Sequence, residues 1–117
     1  MNTLRDQLLS KTCSHQDTAL ASSEITRHLD ALPDWRLKDG KIERTFTFKN
    51  YYGTIAFVNA IAYLIHAEDH HPELTVGYNR CTARFDTHSV NNGRGGISEN
   101  DFICAAKVDA IYRPQPD

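Results

Sequence analysis

The chain has few cysteines, no long apolar run and no excess of charge of either sign, and each shortage removes a class of protein. Cys13, Cys81 and Cys104 form an odd, widely spaced set. A small disulfide scaffold needs paired cysteines at short intervals, so a reducing compartment is expected, with the cytoplasm as the default. The longest apolar stretch, residues 55–65, is broken by Asn59. It falls well short of the ~20 residues that span a bilayer. The polar opening Met1–Ser14 lacks the apolar centre of a secretory signal. Thirteen Lys and Arg stand against fifteen Asp and Glu, for a net charge of −2 with the six histidines neutral. They are scattered, which leaves no basic footprint for nucleic acid. Neither a membrane nor a nucleic acid is expected as a partner.

Several catalytic signatures are missing too. There is no Gly-x-Ser-x-Gly elbow for a Ser-His-Asp hydrolase. The glycine-rich residues 92–96 are not followed by Lys-Ser/Thr, as a phosphate-binding loop requires. Glu68 lies two residues after His66, not one, so the His-Glu-x-x-His zinc pattern fails. Cys13-Ser14-His15 has no second ligand pair nearby. No metal is expected.

What remains is one small domain of 117 residues, able to build a real but thin core. Residues 1–21 read as a polar, weakly ordered arm, and residues 22–113 as the domain. Ser22-Ser23-Glu24 opens a helix, in which Ile25, His28, Leu29 and Leu32 keep helical spacing until Pro33. His28 reads as a packing or surface residue. Residues 35–37 and 41–48 flank Asp39-Gly40, a strong hairpin signal. Ile42, Arg44, Phe46 and Phe48 share the parity expected to face the core.

Asn50 can cap a long helix, roughly Tyr51–Glu68, with Pro72 marking its end. The helix is apolar on nearly all sides, so more than one face should be covered, one of them by a second subunit. Residues 74–78 and 81–85 alternate as strands, with Asn79-Arg80 as the expected turn. Residues 89–96 form a polar, glycine-rich loop, expected to be a mobile rim. Ser98-Glu-Asn-Asp101 is a capping box that opens a last helix, with Pro114 beyond its end. The order α-β-β-α-β-β-α predicts an α+β fold, a four-stranded antiparallel sheet with three helices on one face.

The chemistry concentrates in His66-Ala-Glu-Asp69-His70-His71-Pro72, followed by Thr87-His88. His66 and His70, four apart, share a face if the helix reaches that far. Any one of these histidines alone reads as a surface residue. A His-His-Pro at a helix end, joined by a strand-end histidine, reads as an acid–base site, because imidazoles give and take protons near neutral pH.

His66-x-x-x-His70-His71-Pro72, then Tyr78, His88 and Asp101, resembles the signature of the pterin-4a-carbinolamine dehydratases. The likeness extends to Pro33-Asp-Trp35, Phe48-Lys-Asn50, Tyr78-Asn-Arg80 and Ile97-Ser-Glu-Asn-Asp101-Phe-Ile, and covers roughly residues 22–112. It implies the α+β fold described above and homodimers that pair into homotetramers. It also implies dehydration of 4a-hydroxytetrahydropterin to quinonoid dihydropterin, with no cofactor and no metal. That reaction recycles the cofactor of aromatic amino acid hydroxylases, which makes phenylalanine hydroxylase a functional neighbour. By position, His70 and His88 become the acid–base pair and His71 a binding and orienting group. Asp69, Thr87 and Ser89 become contacts to the ring or its hydroxyl. His66, where the family often has glutamate, and Asp101, the closing acid of the motif, complete the expected substrate-binding set. Leu74 replaces an aromatic residue of some members, and the loop from Ser89 to Gly96 is longer than usual. The resemblance leaves two other roles open. One is a protein-binding cofactor for dimeric transcription factors; the other is a pterin-site protein of molybdopterin metabolism.

Overall fold

The computed structural model describes residues 2–113, so Pro114 lies outside the described residues. Four helices and four strands run in the order α1 (Leu4–Ser10), α2 (Ser22–Ala31), β1 (Arg36–Lys38), β2 (Lys41–Thr47), α3 (Tyr51–Glu68), β3 (Glu73–Val76), β4 (Arg80–Phe85) and α4 (Glu99–Ile111). The strands form one antiparallel sheet in the order β1-β2-β4-β3.

The predicted hairpin forms at Asp39-Gly40, where φ is 51° and 77°. A two-residue turn of this hand needs positive φ at both centres, which Asp tolerates and Gly adopts freely. The second hairpin turns earlier than expected. Arg80 already belongs to β4, and its carbonyl accepts from Gly77 N at 2.7 Å. Thr54 Oγ1 donates to the Tyr78 carbonyl at 2.9 Å, which ties this turn to α3.

One sheet face carries Ile42, Phe46, Cys81, Ala83 and Phe85 into a core shared with Phe57, Ile61, Phe102 and Ile103 of the helices. Arg44 has the same parity. Its guanidinium lies over the Phe46 ring at 4.4 Å and donates to Asp109 Oδ1 at 2.7 Å, beside the Trp35 indole N–H at 2.9 Å. The other face is polar. Arg36, Glu43, Arg84 and Glu73 line up across the four strands, and Glu43 accepts from both arginines. The Arg36 bond, against the cost of burial, holds Glu43 below its ordinary 4.5. A carboxyl depressed by folding stabilises the protein above its unfolded value, and that stability is lost as pH falls through the folded one. Urea midpoints should therefore stay level from about pH 7 to 5 and drop below about pH 4.5. Glu43→Gln should blunt that drop and cost about 1 kcal/mol at neutral pH. A wild-type slope fully retained in Glu43→Gln would assign it to other carboxylates.

Two local features depart from the sequence reading. The arm contains a helix: Thr3 and Asp6 form a capping box, and Leu8 of α1 is fully buried, with α1 packed on α4. Among the described residues there are thus four α-helices, not three. α2 starts one residue before the expected cap, at an N-cap Ala21 that offers no side-chain bond. α3 spans Tyr51–Glu68 as expected, and ends at a C-cap Asp69 in the left-handed region at φ 50°, three residues before Pro72. His66 and His70 therefore do not share a helix face. His28 is buried, with its ring against Phe102 at 4.8 Å and Nδ1 within 2.7 Å of the Glu24 carbonyl.

Within one chain, Thr54, Phe57 and Ile61 are the buried residues of α3, while Tyr52 and Tyr63 stand 84% and 81% exposed. The loop after Ser89 is folded on itself. Thr87 and Gly96 exchange backbone hydrogen bonds, Asn91 Nδ2 donates to the Gly95 carbonyl, and Val90 is buried beneath. Among the described residues, no helix is long and apolar enough to cross a membrane.

Candidate active site

Asp69 sets the geometry. Its left-handed conformation ends α3 and turns the chain so that His70 leaves the helix axis. The His70 ring then stacks on Phe85 at 5.9 Å and 9°. Its Nε2 donates to Asp101 Oδ1 at 2.6 Å. Asp101 is fully buried in the first turn of α4. Its other oxygen accepts from Ser98 N and from Thr87 Oγ1, both at 2.9 Å. Asp101 thus caps a helix and holds a histidine at once. A carboxylate on Nε2–H fixes the imidazole tautomer and leaves Nδ1 as the nitrogen free to act.

His70 forms one wall of a cleft of about 690 Å³. Asp69, His71, Thr87, His88 and Ser89 line it as well. His88 follows β4 and is 88% exposed, with Nε2 4.0 Å from Asp86. His71 is also open to solvent, 3.8 Å from Asp69. The structure therefore brings together His70, His71, His88, Asp69, Thr87 and Ser89, with Asp101 directly behind. It does not bring in His66, which is exposed on α3 and is not among the cleft residues. Of the glycine-rich loop, Ser89 alone reaches the lining described here.

The cleft has further walls that the sequence did not announce. Cys13, Ser14, His15 and Gln16 close one side, and Glu68, Asp86 and Asn100 complete it. Glu68 accepts from Cys13 N at 2.7 Å and from Lys107 Nζ at 2.8 Å. Burial raises the Glu68 carboxyl, but the bonds from Lys107 and Cys13 outweigh it and leave the group below its ordinary range. The Cys13 and Cys104 sulfurs are 3.5 Å apart, and this neighbour together with burial pushes the Cys104 thiol far up. Among the described residues, no three His, Cys, Asp or Glu side chains are grouped as a metal site.

Residues 18–111 match the family model described as pterin 4 alpha carbinolamine dehydratase. This chain belongs to that family. Similar proteins from Bdellovibrio bacteriovorus (61% identity over 90% of this chain and 88% of that protein) and Nitrosospira multiformis (47% over 97% and 99%) are both named "Putative pterin-4-alpha-carbinolamine dehydratase". A solved structure from Brucella melitensis, described as a transcriptional coactivator/pterin dehydratase, superposes with a TM-score of 0.72. It is 35% identical and covers 80% of this chain and 98% of its own. The match to the dehydratase family spans His70, His71, His88, Asp101 and the whole sheet. It begins after Cys13–Gln16, although those residues line the cleft.

Proposed function

We propose that the chain is a hydro-lyase that converts 4a-hydroxytetrahydropterin to quinonoid dihydropterin and water by histidine acid–base catalysis. The observation that carries this reading is the His70–Asp101 pair at 2.6 Å, set in a cleft that His71 and His88 also line.

The reaction needs two proton movements. The C4a–O bond breaks as the hydroxyl takes a proton and leaves as water. N5 loses its proton, and the electron pair forms the C4a=N5 bond. One imidazole must donate and another accept, at neighbouring atoms of one ring. Each positioned proton transfer is worth ~10²–10⁴ in rate. His70, held by Asp101 and Phe85, is the positioned group, and His88 at the open rim is its partner. His71 orients the ring, and Thr87 and Ser89 contact the ring or its hydroxyl.

The polar lining suits a pterin. The 2-amino group and N3–H of the pyrimidine edge are donors, and Asp69 at the mouth offers carboxylate oxygens to accept them. Lys and Arg are absent from the described lining, which favours a pterin without phosphate over a molybdopterin. A coactivator role would instead use the uncovered face of α3. That same face suits a homodimer or homotetramer, which light scattering at micromolar concentration reads directly. The three free cysteines suit a reducing cytoplasm. In this reading the protein serves an aromatic amino acid hydroxylase, such as phenylalanine hydroxylase, by regenerating its pterin.

The test is direct assay. Purified protein should accelerate decay of a freshly generated 4a-carbinolamine, with the same rate after chelator treatment. No acceleration over buffer would overturn the reading. Activity lost with a chelated metal and restored by it would overturn the acid–base mechanism.

A further inference from the structure

Two of the three cysteines meet in the fold. Cys13 and Cys104 are 91 residues apart in sequence, and their sulfurs are 3.5 Å apart. Cys104 lies on α4 four residues after Asn100, so the two share a helix face. That face holds one stretch of chain. Asn100 Nδ2 donates to the Ser14 carbonyl at 2.6 Å and Oδ1 accepts from Ser14 N at 3.2 Å, while Cys104 meets Cys13. The stretch, residues 11–17, has no helix or strand of its own, and residues 13–16 wall the cleft. Its other ties are polar contacts as well. Glu68 accepts from Cys13 N at 2.7 Å, and Lys11 Nζ donates to Glu99 at 2.9 Å.

The two thiols are unequal. Cys13 is half-buried and lines the cleft, whereas Cys104 is 1% exposed. The neighbouring Cys13 and burial push the Cys104 thiol up, so Cys104 keeps its proton. A small oxidant that enters the cleft therefore meets Cys13 first. The sulfurs need to close by only about 1.5 Å to reach bonding distance, and Cys13 sits on a segment without regular structure that can move that far.

We propose that Cys13 and Cys104 are a reversible oxidation site, and that their disulfide locks the cleft wall onto α4. The oxidant is a peroxide. The Cys13 sulfur attacks one oxygen of hydrogen peroxide and the O–O bond breaks, which gives a sulfenic acid and one water. The Cys104 sulfur then attacks the Cys13 sulfur. The S–O bond breaks, and the hydroxyl leaves with the Cys104 proton as a second water. Two thiols lose two electrons and one peroxide gains them. A dithiol reverses the step by exchange. In a reducing compartment such a pair rests as thiols, and a disulfide there is transient. The inference stands apart from the reaction that the cleft performs.

The experiment treats the reduced full-length chain with hydrogen peroxide. The thiol count after denaturation should fall from three to one, the intact mass should drop by two hydrogens, and peptide mapping should join Cys13 to Cys104. Cys81, buried in β4, should be the thiol that survives. Dithiothreitol should restore all three. Cys104→Ala should stop at the sulfenic acid, which dimedone traps on Cys13, and Cys13→Ser should keep both remaining thiols. Amide hydrogen exchange reads the lock. The Cys13 and Ser14 amides should exchange roughly tenfold more slowly in the oxidised protein, because the segment can no longer leave α4. Three thiols surviving peroxide, a sulfinic acid on Cys13 beside a free Cys104, or a disulfide between two chains would overturn the site. A Cys13–Cys104 disulfide that leaves both amides exchanging as in the reduced protein would overturn the lock.

Discussion

His70→Ala is expected to lower the rate of carbinolamine dehydration by ~10²–10⁴ while the protein stays folded. The expectation rests on the geometry around one ring. His70 is 13% exposed, stacked on Phe85, and bonded through Nε2 to a carboxylate that is itself fully buried. A side chain held by a ring stack and a hydrogen bond approaches the substrate in one orientation, which is where positioned proton transfer draws its advantage. The same contacts predict a stability cost. Alanine leaves Asp101 Oδ1 without its donor, at roughly 1–3 kcal/mol. His88→Ala should show the opposite balance, with activity lost but the melting temperature unchanged, because His88 is solvent-exposed. Circular dichroism and steady-state kinetics on the two variants check both halves. Near-normal turnover of a folded His70→Ala protein would exclude His70 as the chief acid–base group. Partial recovery of that variant by added imidazole would support a role for the ring itself.

Much of this site was legible along the chain, and the rest was not, for a physical reason. Asn50 and Ser98 read as helix caps because capping is local. The Asn50 side chain accepts from Gly53 N and that of Ser98 from Asn100 N. Asp39-Gly40 read as a turn because backbone handedness is local as well. Helix α1 did not read. Its apolar residues Leu4, Leu8 and Leu9 are too few to signal a helix alone, and Leu8 is buried where α1 packs on α4 and α2. The turn after β3 was placed one residue late, because Tyr78-Asn79 carries no positive-φ glycine to mark it. The histidines His70, His71 and His88 read as a cluster from residue type and spacing. The contact between His70 and Asp101, 31 residues apart, did not, since nothing in a capping box announces a second client. The grip of Asn100 on Ser14 spans 86 residues and left no local trace at all.

That second client of Asp101 makes its replacement the most informative experiment on the site. Asp101 accepts three hydrogen bonds, from His70, Thr87 and Ser98 N. Alanine would remove all three and open a hole at the start of α4, at a cost of about 3–5 kcal/mol. It would confuse folding with catalysis. Asparagine keeps the shape and one acceptor. Its oxygen can satisfy Ser98 N–H and Thr87 only by turning its amide N–H toward His70 Nε2. That nitrogen must then accept, and the proton moves to Nδ1, the atom that otherwise faces the reaction as a base. Asp101→Asn should therefore fold, lose about 1–2 kcal/mol of stability, and lose ~10²–10⁴ in kcat with little change in KM. Nitrogen NMR of the labelled His70 ring should show the proton on Nε2 in wild type and on Nδ1 in the variant. A merely structural cap would leave that signal and kcat untouched. If the folded Asp101→Asn protein keeps kcat within about threefold of wild type, the carboxylate serves the helix alone, and the tautomer of His70 is set by something other than its partner at 2.6 Å.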